Sequence, residues 1–272
     1  EKNPVFENAE AEFYIAKKQG VTVGRIAAMV NWVEIEEQKK NKLRFGWYDT
    51  IDDLDVSKKL LESVIEFGKK RKLEFVDGPV GFSNMDKAGL LIEGYEELNT
   101  MITWYHYPYQ KEHLKKLGFS KLAEWVEYKI KIFSAEDAPE KVKKFSKIIQ
   151  KRYELKVLNF KSRKEIIPYV DKMFELLNVT YSNLQTYVTI KQYQIDFYKE
   201  KFIKYIHPDF IKCCLDKDDN LIAFLITMPS FSRALKKING KMGLMGYLRL
   251  FKAQHFNDRV SLYLIGVDPK YQ

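Results

Sequence analysis

Cysteine is nearly absent from this chain of 272 residues: Cys213 and Cys214 are the only two. Neighbours on a strand point to opposite faces, so this pair is badly placed to bridge itself. Both read as small buried residues in a reducing compartment, and a cytoplasmic location is expected. Histidine is also sparse. His106, His113, His207 and His255 show no HExxH-type spacing, and no metal site is expected. No run reaches the ~18 uncharged apolar residues of a membrane span, and no charged-then-apolar leader opens the chain. No membrane partner is therefore expected. Residue 1 is Glu and not Met, which suggests that the natural beginning lies upstream.

A hydrophobic fraction of 46% with 14% aromatics is enough to build cores and excludes a disordered chain. The length allows one large domain or two of ordinary size. A net charge of +9 would attract acidic ligands such as the phosphates of CoA or a nucleic acid. The lysines, however, are spread along the chain, at 69–72, 115–116, 143–144 and 236–237. They read as solvated helix faces and not as one stripe, so no nucleic-acid partner is expected.

Periodicity supplies the elements. Glu12 to Val33 reads as two strands around Gln19-Gly20, with Val21, Val23, Ile26, Ala28 and Val30 near one-face spacing. EIEEQKKNK (34–42) reads as a polar loop and LRFGWYDTI (43–51) as a third strand. A helix capped by Asp55 follows, with a stripe of Val56, Leu60, Leu61, Val64 and Phe67. LEFVDGP (73–79) is a short strand, and GFSNMDKAGLLIEGY is glycine-punctuated loop. QKEHLKKLGF (110–119) is a short helix ended by Gly118, and VEYKIKI (126–132) alternates as a half-buried strand. Pro139 opens a connector helix. Ser162 and Glu165 form a capping-box pattern for the next helix, where Pro168 implies a kink or a later start. Another amphipathic helix spans 190–206. FIKCCLDKDDNLIAFLITMP (210–229) reads as strand, turn, strand, and VSLYLIGV as a last strand.

Two segments repeat the same order of elements: FYIAKKQGVTVGRIAAM (13–29) and IKCCLDKDDNLIAFLITM (211–228). Each is a hairpin followed, after an irregular interval, by a strongly apolar third strand. Residues 1–134 form the first copy, which lacks its opening strand and helices. Residues 135–153 form the connector, and 154–272 the opening part of a second copy. On this reading the chain is expected to continue beyond Gln272.

These residues resemble the GNAT superfamily of acyl-CoA N-acyltransferases, and more closely a bacterial family of tandem GNAT-like domains regarded as acetyltransferases. The resemblance rests on GRIAAMVN (24–31), RFGWYDTIDD (44–53), GPVGFSNMDKAGLLIEGY (78–95), YHYPYQKEHLKKLGF (105–119) and YLIGVDPKYQ (263–272). It implies an α/β (α+β) fold of mixed sheets flanked by helices, in two tandem incomplete copies. It also implies acetyl-CoA or another acyl-CoA as donor and a small-molecule amine or peptide as acceptor. Leu264, Ile265, Gly266 and Val267 match the strand that holds the pantetheine arm in the superfamily. Val267, Pro269 and Gln272 match the entry to its phosphate loop, whose glycines would come after Gln272.

The first copy departs from the pattern. Asp49, Asp52, Asp53 and Asp55 place four carboxylates within seven residues where that loop belongs, which would repel a pyrophosphate. This copy is expected to be structural or substrate-shaping. In MITWYHYPYQ, Trp104, Tyr105, Tyr107 and Tyr109 either wall a substrate cleft or pack a strand-to-helix corner. Asn84 and Asp86 are candidate polar contacts in the same cleft, or simple loop caps. No residue identifies itself as catalytic acid or base. Two functions stay open: acyl-CoA-dependent N-acyl transfer, or a catalytically inactive tandem GNAT that binds a ligand or a protein.

Overall fold

The computed structural model of the chain describes residues 3–83, 85–132, 134, 136–202 and 207–272. Among these residues lie eight strands and eight α-helices, the strands forming two separate four-stranded sheets. The class is α/β (α+β), as expected. Two compact units divide the chain. One consists of Glu1–Glu124, Leu184–Thr189 and Ser230–Phe256, the other of Trp125–Asn183, Ile190–Pro229 and Asn257–Gln272.

In the first unit β1 (Ala9–Lys18) and β2 (Val21–Asn31) pair antiparallel around Gln19 and Gly20. Both turn residues have positive φ, 51° and 81°, the left-handed pair that suits the twist of a two-residue hairpin and makes glycine the natural second residue. Strand β3 (Lys42–Thr50) pairs antiparallel with β2, and β4 (Phe75–Asp77) adds in parallel to β3. On one face Ile26, Ala28 and Val30 meet Leu43, Phe45 and the stripe of helix α2 (Leu54–Lys70). Val56, Leu60, Leu61, Val64 and Phe67 are all buried there, as their spacing predicts. On the other face Ala27 and Met29 pack against Val5, Ala9 and Phe82. Strand β2 is thus covered on both sides, and Val21 at its outer end is exposed.

Three expectations from the sequence are corrected, two in this unit and one at the start of the other. Asp53, not Asp55, caps α2, accepting the Asp55 amide at 3.0 Å. Residues 34–42 are not simply a polar loop: helix α1 (Trp32–Glu36) begins just before them, and Glu34 and Lys42 are buried. Arg44 holds Glu34 with both arms of its guanidinium, Nε to Oε2 at 2.6 Å and Nη2 to Oε1 at 2.7 Å. Lys42 Nζ joins Glu34 at 3.1 Å and Asp77 at 2.8 Å. Arg44 also donates to the carbonyls of Gly81 at 3.0 Å and Thr186 at 2.8 Å. A fourfold buried charge network therefore pins three separate segments to β3. Finally, residues 126–132 form no strand. Val126, Tyr128, Ile130 and Ile132 are 66–78% exposed, because among the described residues no strand lies beside them to complete their hydrogen bonds.

Helix α3 (Pro108–Lys116) ends before Gly118, which has φ +90°. Helices α4 (Glu140–Arg152), α5 (Arg163–Tyr181) and α6 (Gln192–Phe202) follow, α6 being the described part of the helix expected over 190–206. The connector helix α4 buries no residue. In α5 the helix runs through Pro168 and starts directly after Ser162.

The second sheet orders β5 (Lys156–Asn159), β6 (Ile211–Leu215), β7 (Leu221–Pro229) and β8 (Val260–Val267). All its pairings are antiparallel, so only the first sheet is mixed. Ile166, Val170, Met173 and Leu177 of α5 pack on Ile211, Cys213 and Phe224. Cys213 is buried and Cys214 half-buried; both are free thiols, and burial pushes the Cys213 thiol up to about 12. Helices α7 (Ser232–Ile238) and α8 (Leu244–His255) belong to the first unit.

The third strand bulges in both sheets. Across β2–β3, Trp47 and Tyr48 stand against the single residue Ile26, and Trp47 takes φ 47°. Across β7–β8 the register moves from Ile226↔Leu264 to Thr227↔Leu262, leaving Tyr263 as the extra residue. The hairpin-plus-third-strand order is shared; what surrounds it differs.

Replacing Arg44 with Met is expected to destabilise the first unit by about 3–5 kcal/mol, because Glu34 would lose its bidentate partner inside the core. Urea unfolding followed by circular dichroism measures this. A loss below about 1 kcal/mol would show that the network does not hold the unit together.

Candidate functional sites

The bulge in β3 opens a cavity in the first unit. Its volume is about 230 Å³, and it is lined by Trp47, Val80, Gly81, Met85, Asp86, Lys87 and Trp104. The extra residue, with Trp47 at positive φ, shifts the alternation by one: Phe45 and Tyr48, three apart, both enter the core while Trp47 walls the cavity. Gly81 is required at its position, since a Cβ there would lie 2.1 Å from Asp86 Cβ. Asp86 Oδ2 accepts the backbone amides of Phe82 at 2.9 Å and Ser83 at 3.3 Å. Asp86 stands exposed at the rim, yet protein atoms crowd its carboxyl. Desolvation raises its pKa, opposed by the two amides and by the charge of Arg44. Lys87 Nζ sits 4.8 Å from the centre of the Trp104 ring, and burial lowers its pKa.

Asp86 and Trp104 thus line one cavity. Asn84 lies outside the described residues. Tyr105 and Tyr107 do not line the cavity; they are exposed and form a ring ladder with Tyr109, whose ring stacks on Tyr107 at 5.5 Å. Trp47, Val80, Met85 and Lys87 escaped the sequence reading. The glycines of GPVGF were the available signal, because closely spaced glycines mark close backbone approach.

The acidic segment before α2 is fully engaged. Asp53 caps the helix and meets Lys18 at 3.1 Å, and Asp49 lies 3.8 Å from Arg25. Asp52 Oδ1 lies 3.2 Å from His113 Nε2; His113 Nδ1 lies 2.8 Å from Ser57 Oγ, which accepts from the Tyr48 hydroxyl at 2.8 Å. The order Asp-His-Ser is that of a hydrolytic triad, but Ser57 is 0% exposed. Its hydroxyl is engaged on both sides, by Tyr48 and by His113, and the whole residue is covered, so it carries no chemistry here. The relay ties the start of α2 to α3. A carboxylate also holds the end of α2 where a phosphate would have to sit.

In the second unit the segment matched to a donor-binding strand is β8, the last strand of its sheet. Leu264 packs against the core of the unit, and Ile265 is exposed, its carbonyl accepting from the Tyr181 hydroxyl at 3.0 Å. Gly266 faces Phe224 across the pairing, where a Cβ would meet the ring at 2.5 Å; packing alone accounts for this glycine. Val267 accepts from the Gln272 side-chain amide at 2.8 Å, folding Gln272 back on the strand. Asp268 caps a 3-10 turn, Pro269–Tyr271, through Lys270 N at 2.9 Å. The bulge residue Tyr263 is different: its hydroxyl is buried and has no hydrogen-bond partner among the described residues. Burial raises its pKa, so it stays a protonated donor.

No group of His, Cys, Asp and Glu among the described residues could hold a metal ion, and no described helix is long and apolar enough to cross a membrane.

No family model matches the chain. It is 24% identical over 277 residues to Protein YghO of Escherichia coli K12, covering all of this chain and 69% of that protein. It is 22% identical over 279 residues to the bacterial ceramide synthase of Caulobacter vibrioides, covering 99% of this chain and 70% of that enzyme.

His106, beside Trp104 at 6.3 Å between ring centres, reports on this region. Its Nδ1 accepts the Leu91 amide at 3.3 Å, and burial lowers its pKa from 6.5 to about 4. Between those two values the unfolded chain takes up a proton that the folded chain does not. Stability is therefore expected to fall by about 3 kcal/mol as pH drops from 6.5 through 4, and no further from this group. His106→Asn keeps an acceptor and removes the titration, so its stability should decline less steeply in that window. Equal slopes in urea denaturation would show that His106 is not held neutral.

Proposed function

We propose that this protein transfers an acyl group from a CoA thioester to an amine, with the donor laid along the outer edge of β8. The observation that carries this reading is the bulged edge strand itself, with an unsatisfied buried hydroxyl at the bulge. A sheet edge offers backbone amides and carbonyls to an extended amide-bearing chain, and the pantetheine arm is such a chain. The resemblance of the order of elements to the GNAT superfamily supports it. So does likeness along 99% of the chain to a protein named bacterial ceramide synthase. A ceramide is the amide of a fatty acid with a long-chain amine, so that name denotes N-acyl transfer.

In the reaction the amine nitrogen attacks the thioester carbon, the C–N bond forms and the C–S bond breaks. One proton leaves the nitrogen and one reaches the sulfur, giving amide and free thiol with no net proton change. Leu264–Val267 hold the arm. The Tyr263 phenol, unpartnered and kept protonated by burial, is the group assigned to the departing sulfur. The turn Pro269–Tyr271 has only three residues, and its Lys270 amide is already taken by Asp268. Among the described residues, then, β8 accommodates the arm and nothing is assigned to the pyrophosphate. For the first unit we propose a substrate-shaping role: its cavity presents the Asp86 carboxylate between aromatic walls to a cationic amine group. The carboxylate cap on α2 favours the donor-free reading of that unit.

The test is thiol release from acetyl- and long-chain acyl-CoA with a panel of amines that includes long-chain amino alcohols. Turnover is expected, and Tyr263→Phe should lower kcat about 10²–10³-fold with little change in KM for the thioester. Release of no thiol with any pair, while acyl-CoA still raises the melting temperature, would establish the inactive binding module instead.

A further inference from the structure

Helix α8 (Leu244–His255) is amphipathic the wrong way round for a helix packed on its own protein. The residues it turns inward are small or few: Gly246 is buried, with a would-be Cβ 3.1 Å from Met242 and 3.7 Å from Ile238 of α7, while Leu250 and Ala253 are half-buried. Those three recur at helical spacing and define one side. The opposite side carries Leu244, Tyr247, Leu248 and Phe251, exposed by 78%, 65%, 53% and 58%. Large apolar side chains at i, i+3, i+4 and i+7 pointing into water mark a surface built to be covered.

The charge around that face identifies the cover. The chain has 37 acidic residues, yet none falls between Asp219 and Asp258. The same interval holds Arg233, Lys236, Lys237, Lys241, Arg249 and Lys252. Lys236, Lys237 and Lys241 are exposed at the end of α7 and in the turn before α8, and Arg249 flanks the apolar face with Nη1 on the Lys237 carbonyl at 2.7 Å. A protein partner is matched by mixed charge. An apolar helix face bordered only by cations matches an anionic lipid headgroup layer over an acyl interior.

We propose that α7 and α8 dock this protein onto anionic membrane surfaces, with Leu244, Tyr247, Leu248 and Phe251 entering the headgroup–acyl boundary. The lack of a spanning segment, which led to the expectation of no membrane partner, does not bear on an interfacial helix. Docking is independent of the acyl-transfer reading and stands or falls alone.

The experiment uses the full chain and sedimentation with vesicles of phosphatidylcholine alone or with phosphatidylglycerol at about 30%. Binding to the anionic vesicles is expected to exceed binding to the neutral ones at least about a hundredfold and to weaken with salt. Leu248→Asp with Phe251→Asp should reduce it at least about tenfold, and changing Lys236, Lys237 and Lys241 to Gln roughly a hundredfold on anionic vesicles only. The substituted side chains are exposed, so unchanged melting and circular dichroism confirm that the variants fold. Tyr247→Trp adds a second readout, a blue shift of emission on anionic vesicles. Absence of vesicle binding, binding untouched by the aspartates, or a dimer that these aspartates dissociate without any lipid affinity would each overturn the proposal.

Discussion

Four buried charges govern the first unit. Arg44, Glu34, Lys42 and Asp77 each keep less than a tenth of their surface in water, and each is tied to an opposite charge within 3.1 Å. Removing such groups from water costs several kcal/mol apiece, and their mutual attraction only offsets that when every donor finds an acceptor. Arg44 comes close to the condition: beyond its two bonds to Glu34 it places two more donors on the carbonyls of Gly81 and Thr186. The consequence is positional more than energetic. Gly81 is the floor of the cavity, so the same guanidinium that neutralises Glu34 fixes where Asp86 and its two amides stand. An apolar core of equal volume could match the stability. It could not specify the path of a loop that has no regular structure between Gly78 and Tyr107.

The bulges do for the third strands what the network does for the loop. In a regular pairing Trp47 would follow Phe45 onto the core face, and the one extra residue shifts the alternation so that Tyr48 takes that place. Tyr48 then reaches the core and the Ser57 relay, while Trp47 is free to line a cavity. In β8 the extra residue is Tyr263, whose hydroxyl ends up buried without a partner among the described residues. An unpaired phenol inside a protein costs about 1–3 kcal/mol. The donor proposed for β8 would supply that partner, whereas the Asp-His-Ser relay needs none. In the relay every hydrogen bond is already made, and no surface is left for a substrate.

Much of the scaffold was legible because it follows from local pattern. The Gln19-Gly20 turn, the stripe from Val56 to Phe67, the end of α3 at Gly118 and the matched hairpins all depend on neighbours in sequence. What escaped was long-range. Glu34, Lys42 and Arg44 look like ordinary surface charges, since nothing in the order of residues says that they will neutralise one another inside. The alternation of 126–132 was read as a strand because a strand's inner face can be recognised without its partner; the partner's presence cannot. Asp86 was legible through the glycines around it. Trp47 was not, because a positive φ at a bulky residue is set by the register of two strands and leaves no mark in either.

Two of the uncovered apolar surfaces are separated by their charge. Residues 125–149 carry Trp125, Tyr128, Ile130, Phe145 and Ile148 in the open, interleaved with Glu127, Glu136, Asp137 and Glu140 and with six lysines. That mixture is what an ordinary protein surface presents, and strand-like alternation within it asks for backbone hydrogen bonds that lipid cannot provide. Helix α8 satisfies its own backbone, and no carboxylate falls between Asp219 and Asp258 in the chain around it. A lipid boundary accepts only the second kind of surface: internally bonded, apolar on one side, cationic at the margin. The two segments are therefore not a single excess of exposed hydrophobic residues. They are two different unmet demands, one for hydrogen-bonding peptide and one for an anionic apolar phase, and the fold keeps them on separate elements.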